Sequence, residues 1–416
     1  MITPLRRLGF GMRRKPERVL AVVCVAVGML AIGSQAAGAA TLSPLPTATT
    51  PWLQYIPGLQ VAKLPQMPTT QLPQLALTNW WTTLLPGGSP TTPTPTIPTS
   101  DTGDSTGNTF PTQTSTSLPG KAFTGTYYGG GGTMDYEAYV PSGYKSGTAV
   151  PLVVSMHGCS QTADVFRQQT RWDQLAEAKD FIVVFPQQSQ SNNNLQCWDF
   201  FQNADMQRSG AEPSQIAGLT RWFQKNYSVD AHRTWVDGFS AGGGMTSVMA
   251  ATYPDLYAAA GIESGCEYAS TAACAGSQGI DPASAGQQAY SAMGSHARVM
   301  PVMLLQGDQD KTVPPVNASQ IVQQWQVTDD LADDGARNGS VPSNPVSITQ
   351  GQVPNGHSFT VTVYFDGQGK ELLQYWLVNG MGHAWSGGCS CEPYSDPAGP
   401  DATGAMYAFF VKHPLP

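Results

Sequence analysis

Residues 234–253 read TWVDGFSAGGGMTSVMAATY. The first four residues are a short apolar strand signal that runs directly into Gly238. From Gly242 onward, small and apolar residues continue as a helix would. Between the two lies Gly238-Phe-Ser240-Ala-Gly242, a G-x-S-x-G pattern. Gly and Ser are common, so the five residues alone fit any glycine-rich strand–helix turn. Their setting is more specific. A glycine on each side of the serine lets strand and helix pass without a Cβ between them, and the serine takes the apex of a sharp turn. Such a turn lifts the hydroxyl above the end of a sheet.

On both sides of this stretch, strand and helix signals alternate. Residues 122–128 and 134–140 read as strands around a glycine-rich turn at 129–132. The run 151–158, PLVVSMHG, is an apolar strand ending in a glycine turn, and 181–185 is a second buried strand. Helices are expected over 163–179, 213–227, 242–253, 317–328 and 402–413. Further strands are expected over 258–262, 302–306, 361–365 and 372–378. In 213–227, Ile216, Leu219 and Phe223 share one helical face. Strands alternating with helices imply the α/β class: a mostly parallel central sheet with helices on both faces, and chemistry at the carboxyl ends of its strands.

The 416 residues suffice for one large α/β domain and additional segments. Charged residues are only 12% of the chain, with 44 Gly and 33 Pro, so surface polarity must come mainly from Ser, Thr, Asn and Gln. A net charge of −8 argues against nucleic acid, whose phosphates require Lys and Arg. Residues 1–40 read as an export signal. They hold a basic start (Arg6, Arg7, Arg13, Arg14, Lys15, Arg18), an apolar run over 19–32 and small residues at 36–40. The run is short of the roughly 20 residues a spanning helix needs, so no stable membrane anchor is expected. Removing the signal takes away six basic residues and one acid, leaving 15 basic against 28 acidic, a net −13. The expected product is secreted, extracellular and monomeric. Residues 41–120 carry 14 of the 33 prolines and three charges, Lys63, Asp101 and Asp104. They read as an irregular segment and Pro/Thr/Ser linker, with Trp52, Tyr55, Trp80 and Trp81 either touching the main domain or meeting a surface. The catalytic domain is expected over 121–416.

Seven cysteines become six without Cys24, an even number suited to disulfides in an exported chain. Cys159 with Cys197 and Cys266 with Cys274 are the preferred pairs. Cys389 and Cys391 are then left to each other across a strained two-residue spacing, or remain thiols. No metal site and no cofactor are expected, because Cys389-x-Cys391 lacks partners at zinc spacing.

A serine hydroxyl needs a base, and α/β-hydrolases place Ser, acid and His in that chain order. Of the six histidines, His157 and His232 precede Ser240, His296 comes before the last central strand, His357 lies in a polar loop, and His413 ends the final helix. His383 remains, in a glycine-rich loop after a strand. The acid should follow the 302–306 strand. Asp310 is preferred there, with Asp308 read as a cap on its own turn and Glu263 as a third candidate one unit early. The oxyanion N–H groups are expected from Ala241 and from Cys159, whose loop a bridge to Cys197 would fix. Trp198 and Trp385 border the acyl pocket or serve as packing residues; sequence leaves both open.

Together these stretches resemble the extracellular poly(3-hydroxybutyrate) depolymerase family of esterases, which includes feruloyl and acetylxylan esterase-like members. The matching stretches are YVPSGY at 139–144, LVVSMHGCSQ at 152–161, CWDFF at 197–201, GFSAGGGMTSVMAATYPDLYAA at 238–259, QGDQDKTVPPVN at 306–317, GMGHAWSGG at 380–388 and YSDPAGPDA at 394–402. The resemblance implies an α/β-hydrolase fold, a triad of Ser240, Asp310 and His383, and oxyanion donors at Cys159 and Ala241. It also implies an ester or polyester substrate, namely poly- or oligo(3-hydroxyalkanoate) esters. The alternatives are a feruloyl or acetylxylan esterase acting on plant polysaccharide or, from another class, a secreted binding protein with a hydrolase-like domain. Family members that attack solid polyester carry a separate polymer-binding domain, and none is expected after the closing helix here.

Overall fold

The computed structural model describes the backbone of Thr112–Thr114 and residues 118–416 except Gln278. The export signal read over 1–40 and nearly all of the segment 41–120, with Trp52, Tyr55, Trp80 and Trp81, lie outside the described residues.

The strands are β1 (Thr112–Thr114), β2 (Lys121–Gly129), β3 (Gly132–Val140), β4 (Val150–Met156), β5 (Ile182–Gln187), β6 (Val229–Phe239), β7 (Ala260–Glu263), β8 (Val302–Gly307), β9 (Ser347–Gln352), β10 (Ser358–Phe365), β11 (Glu371–Val378), β12 (Trp385–Ser386) and β13 (Ser395–Asp396). The α-helices are α1 (Ala163–Thr170), α2 (Trp172–Lys179), α3 (Ala211–Asn226), α4 (Ala241–Thr252), α5 (Pro282–Met293), α6 (Val316–Asp334) and α7 (Ala402–Phe410). Among the described residues β1 to β11 form one sheet in the order β1-β2-β3-β5-β4-β6-β7-β8-β11-β10-β9. The six strands from β5 to β11 in that order pair in parallel. Antiparallel strands extend the sheet at both edges.

The central strands are apolar on both faces, as a sheet covered by helices on each side requires. On β4, Leu152, Val154 and Met156 enter one core with Ile216 of α3, Met249 of α4, Ala289 of α5 and Trp325 of α6. Val153 enters the other, with Phe166 of α1, Trp172 of α2 and Phe409 of α7. The six parallel strands end together, and the connections leaving that end carry residues 157–161, Ser240, Asp310 and His383.

Two expectations about helices need correction. The helix expected over 163–179 is two helices, because Arg171 adopts the left-handed conformation (φ 57°) between them. The break brings the start of α2 to an ion cluster around the buried Arg167. Arg167 donates to Glu137 (2.7 Å), Asp164 (2.7 Å) and Asp173 (2.6 Å), the last from the first turn of α2. Helix α5 was not expected, although its start carries clear signals: Asp281 caps it by accepting from the Ser284 N–H at 2.9 Å, and Pro282 is its first residue. The edge strand β9 was also not expected. Its residues are mostly exposed and polar, so no alternation marks it.

Candidate active site

Ser240 is the single residue between β6 and α4, with φ 56° and ψ −120°. A non-glycine residue held there stores about 1–3 kcal/mol of strain and needs surroundings that fix it. The flanking glycines supply them. A Cβ on Gly242 would lie 2.0 Å from the Met156 carbonyl oxygen, and one on Gly238 would lie 2.4 Å from the Gly242 carbonyl. The start of α4 therefore rests backbone-to-backbone on the end of β4, which no other residue type would permit. The Ser240 N–H donates to the Glu263 carbonyl at 3.0 Å, tying the turn to β7.

Ser240 Oγ lies 2.9 Å from His383 Nε2, and His383 Nδ1 lies 2.7 Å from Asp310 Oδ2. The Asp310 side chain has no exposed surface and the His383 side chain is 9% exposed. Burial alone would raise the Asp310 pKa. The contact with His383 and the backbone N–H groups of Val313 and Thr312 outweigh it, so the carboxyl sits below its ordinary value. Its Oδ1 accepts from the Thr312 N–H (2.9 Å) and the Val313 N–H (2.8 Å), and its Oδ2 also accepts from Gln306 Nε2 (3.0 Å). An ionised carboxylate only accepts, so His383 Nδ1 carries the proton and Nε2 faces Ser240 Oγ as an acceptor.

The two other acid candidates are placed differently. Asp308 does not cap its own turn; its Oδ1 accepts from the Gly380 N–H at 2.6 Å, across to the loop that leads to His383. Glu263 is completely buried, and its Oε1 accepts from the Ser386 N–H at 2.6 Å rather than from the imidazole.

Ala241 follows Ser240 directly. Gly158, just before Cys159, passes so close that an added Cβ would lie 3.2 Å from Ser240 Cβ. Among the described residues, the N–H groups of Cys159 and Ala241 have no acceptor within the protein. The 157–161 loop is braced on every side. Gln161 accepts from the Gly158 N–H (2.9 Å) and donates to the buried Gln169, which in turn donates to the Tyr394 carbonyl (2.6 Å). His157 is fully buried, and burial lowers its pKa to about 4. Its Nε2 accepts from the Gln188 N–H (3.1 Å), so Nδ1–H donates to the Gly158 carbonyl (2.7 Å) and the ring holds the loop as a neutral tautomer. Cys159 is bonded to Cys197, Cys266 to Cys274 and Cys389 to Cys391.

The tryptophans are packing residues, and the pocket-wall alternative is corrected. Trp198 and Trp385 have no exposed surface. The Trp198 indole N–H donates to the His157 carbonyl (3.0 Å) and that of Trp385 to Thr403 Oγ1 (3.1 Å), so each polar edge is satisfied in the core. The exposed apolar residues beside the site are Leu195, whose carbonyl accepts from the Ser160 N–H, and Tyr394, whose ring centre lies 6.1 Å from that of His383. Sequence reasoning passed over both, because neither stands in an apolar run.

A mostly parallel sheet, a serine raised at the β6–α4 turn and an acid and histidine on later connections define an α/β-hydrolase. A family model described as Esterase PHB depolymerase matches residues 134–344, and the chain belongs to that family. Poly(3-hydroxyalkanoate) depolymerase C of Paucimonas lemoignei is 33% identical over 260 residues, covering 61% of this chain and 58% of that protein. Acetylxylan esterase A of Emericella nidulans is 32% identical over 206 residues, covering 46% of this chain and 66% of that protein. The chain thus spans less than two thirds of the length of these relatives. An acetyl xylan esterase from Aspergillus awamori superposes with a TM-score of 0.52 at 24% identity, covering 67% of this chain and 94% of that one, which shows the shared fold.

Proposed function

We propose that this protein is an exported serine carboxylic ester hydrolase that cleaves poly- or oligo(3-hydroxyalkanoate) esters through an acyl-enzyme on Ser240. The observation that carries the reading is the unbroken chain from Ser240 Oγ to His383 (2.9 Å) to Asp310 (2.7 Å). Ser240 attacks the ester carbonyl as His383 Nε2 takes the hydroxyl proton. The N–H groups of Cys159 and Ala241 receive the oxyanion, and their lack of internal acceptors supports that role. The imidazolium, steadied by Asp310, returns its proton to the leaving alcohol. Water then enters, loses a proton to His383 and releases the acid. The three disulfides and the basic, then apolar, N-terminus support export. No helix among the described residues is long and apolar enough to cross a membrane.

The likeness to a poly(3-hydroxyalkanoate) depolymerase over 260 residues favours this substrate class. The likeness to acetylxylan esterase A keeps a plant-polysaccharide ester as the second reading. Purified protein and Ser240→Ala are assayed on p-nitrophenyl butyrate, methyl ferulate, acetylated xylan and a polyhydroxybutyrate film. Wild type is expected to hydrolyse the butyrate ester, and clearing of the film would select the polyester reading over the plant-ester one. The variant is expected to lose about 10⁵-fold or more in kcat. Soluble-ester activity that survives in Ser240→Ala would refute the nucleophile assignment. Release of acetate or ferulate without clearing of the film would select the second reading, and an inert wild type would leave the binding-protein alternative.

A further inference from the structure

The end of β7 holds a buried acid that the proposed reaction does not use. Glu263 is the last residue of β7 and has no exposed surface. Its backbone and its side chain each meet a different part of the site. Its carbonyl oxygen accepts from the Ser240 N–H at 3.0 Å. Its Oε1 accepts from the Ser386 N–H at 2.6 Å, three residues beyond His383, and its Oε2 has no partner among the described residues. One residue thus bridges the turn that raises the nucleophile and the loop that carries the base, two parts of the chain that share no strand pairing.

We infer that Glu263 is a positioning residue for the proposed Ser240–His383 pair: a buried strut, held as the uncharged acid, that sets the imidazole loop against the nucleophile turn. The geometry favours the uncharged form. Among the described residues a single N–H is the donor that reaches this carboxyl, and no cation pairs with it. Burial, the largest influence, raises its pKa well above the ordinary value, and the nearby carboxyls of Asp237 and Asp310 act in the same direction against the Ser386 hydrogen bond. The other anchors of the loop are independent. The Gly380 N–H is held by Asp308, and the Trp385 indole is packed in the core. Losing the strut should therefore displace His383 without releasing the whole loop.

The inference rests on the Ser240–His383 reading, and the variants separate the two. Glu263→Gln keeps the shape, the acceptor and the neutral charge, so it should retain at least half of wild-type kcat on p-nitrophenyl butyrate, with the acidic limb of its kcat/KM profile unmoved. Glu263→Ala removes the acceptor and should lose kcat about tenfold to a hundredfold, with KM within about twofold, because a shift near 1 Å in a catalytic group costs on that order. Circular dichroism establishes that each variant is folded. If Glu263→Ala does not fold, Glu263→Gln still decides. A glutamine variant that is inactive, or whose acidic limb moves, overturns the neutral strut, since replacing an uncharged acid by an uncharged amide leaves the charge of the site unchanged. A folded Glu263→Ala with wild-type kcat also overturns it. Ser240→Ala is measured alongside: activity surviving there sinks the nucleophile reading, whereas an inactive Ser240→Ala with unaffected Glu263 variants sinks only the strut.

Discussion

Asp310 and Glu263 are two carboxyl groups at the same end of neighbouring strands, and both side chains are removed from water. Their surroundings differ in donor count. Asp310 receives two backbone N–H groups, the Gln306 amide and the His383 imidazole. Glu263 receives one backbone N–H. The acid with four donors is pushed below its ordinary pKa, and the acid with one is pushed well above it. Burial is the largest influence on both and acts in the same sense, so the hydrogen bonds and the neighbouring charges, His383 beside Asp310 and the carboxyls of Asp237 and Asp310 beside Glu263, set the two directions apart. A site can therefore keep an anion and an uncharged acid on adjacent strands without exposing either.

Exchanging each oxygen-only carboxyl for an amide breaks the comparison most directly. Asp310→Asn puts an N–H donor where an acceptor is needed, favours the wrong imidazole tautomer and should lower kcat about 10⁴-fold. Glu263→Gln should cost no more than about twofold. Steady-state kinetics on a soluble ester measure both, and equal losses would remove the distinction. A smaller effect sharpens it. Gln306→Met keeps the volume and deletes the amide that donates to Asp310 and to the Val313 carbonyl, which should raise that carboxyl's pKa and lower kcat/KM roughly tenfold. No change in the variant would mean that the backbone N–H groups and His383 hold the carboxylate without Gln306.

The smallest effects appear in stability against pH, with opposite signs. For Asp310 the folded pKa lies below the unfolded value near about 3.9, so its stabilisation is complete above that value and disappears as pH falls through the folded pKa. Asp310→Asn should therefore lose less stability than wild type between about pH 4 and pH 2. For Glu263 the folded pKa is raised, so above about pH 4.3 the unfolded chain gives up a proton that the fold retains. Stability then declines with rising pH by at most about 1.4 kcal/mol per unit until the folded pKa is reached. Asp237, raised to about 7, and Glu212, raised to about 8, add declines of the same sign, so the informative quantity is the difference between wild type and Glu263→Gln. Denaturant unfolding from pH 5 to pH 8 should show the flatter curve in the variant, and parallel curves would mean that Glu263 is ionised in the fold.

The α/β class and the meeting of Ser240, Asp310 and His383 were legible because each rests on a local constraint. Gly238 and Gly242 are demanded by backbone contact, β4 to β8 are apolar on both faces, and only one histidine follows the sheet in a suitable loop. The choice between Asp308 and Asp310 was less legible. Both stand in one loop, and the donors that separate their roles are backbone N–H groups and Gln306, which spacing does not order. Trp198 and Trp385 defeated sequence reasoning for a different reason. An indole has an apolar body and one donor, so a pocket wall and a core position look alike until a buried carbonyl or hydroxyl is found within reach. The break at Arg171 was hidden because it rests on a non-glycine residue in the left-handed conformation, which no Gly or Pro marks in the sequence.

The separation of the paired residues bears on when the molecule becomes competent during its synthesis. His383 lies 143 positions after Ser240 and 73 after Asp310, and the Tyr394 carbonyl that braces Gln169 lies 225 positions after it. A nascent chain that stops short of residue 383 already contains the hydroxyl, the carboxylate and the glycine turn, yet lacks the imidazole. Contacts over such spans close late and slowly, because the loop entropy is spent before they form. Hydrolytic competence should consequently appear in one late step, when β11 docks on β8, and C-terminal truncations before that docking should be inert rather than weak.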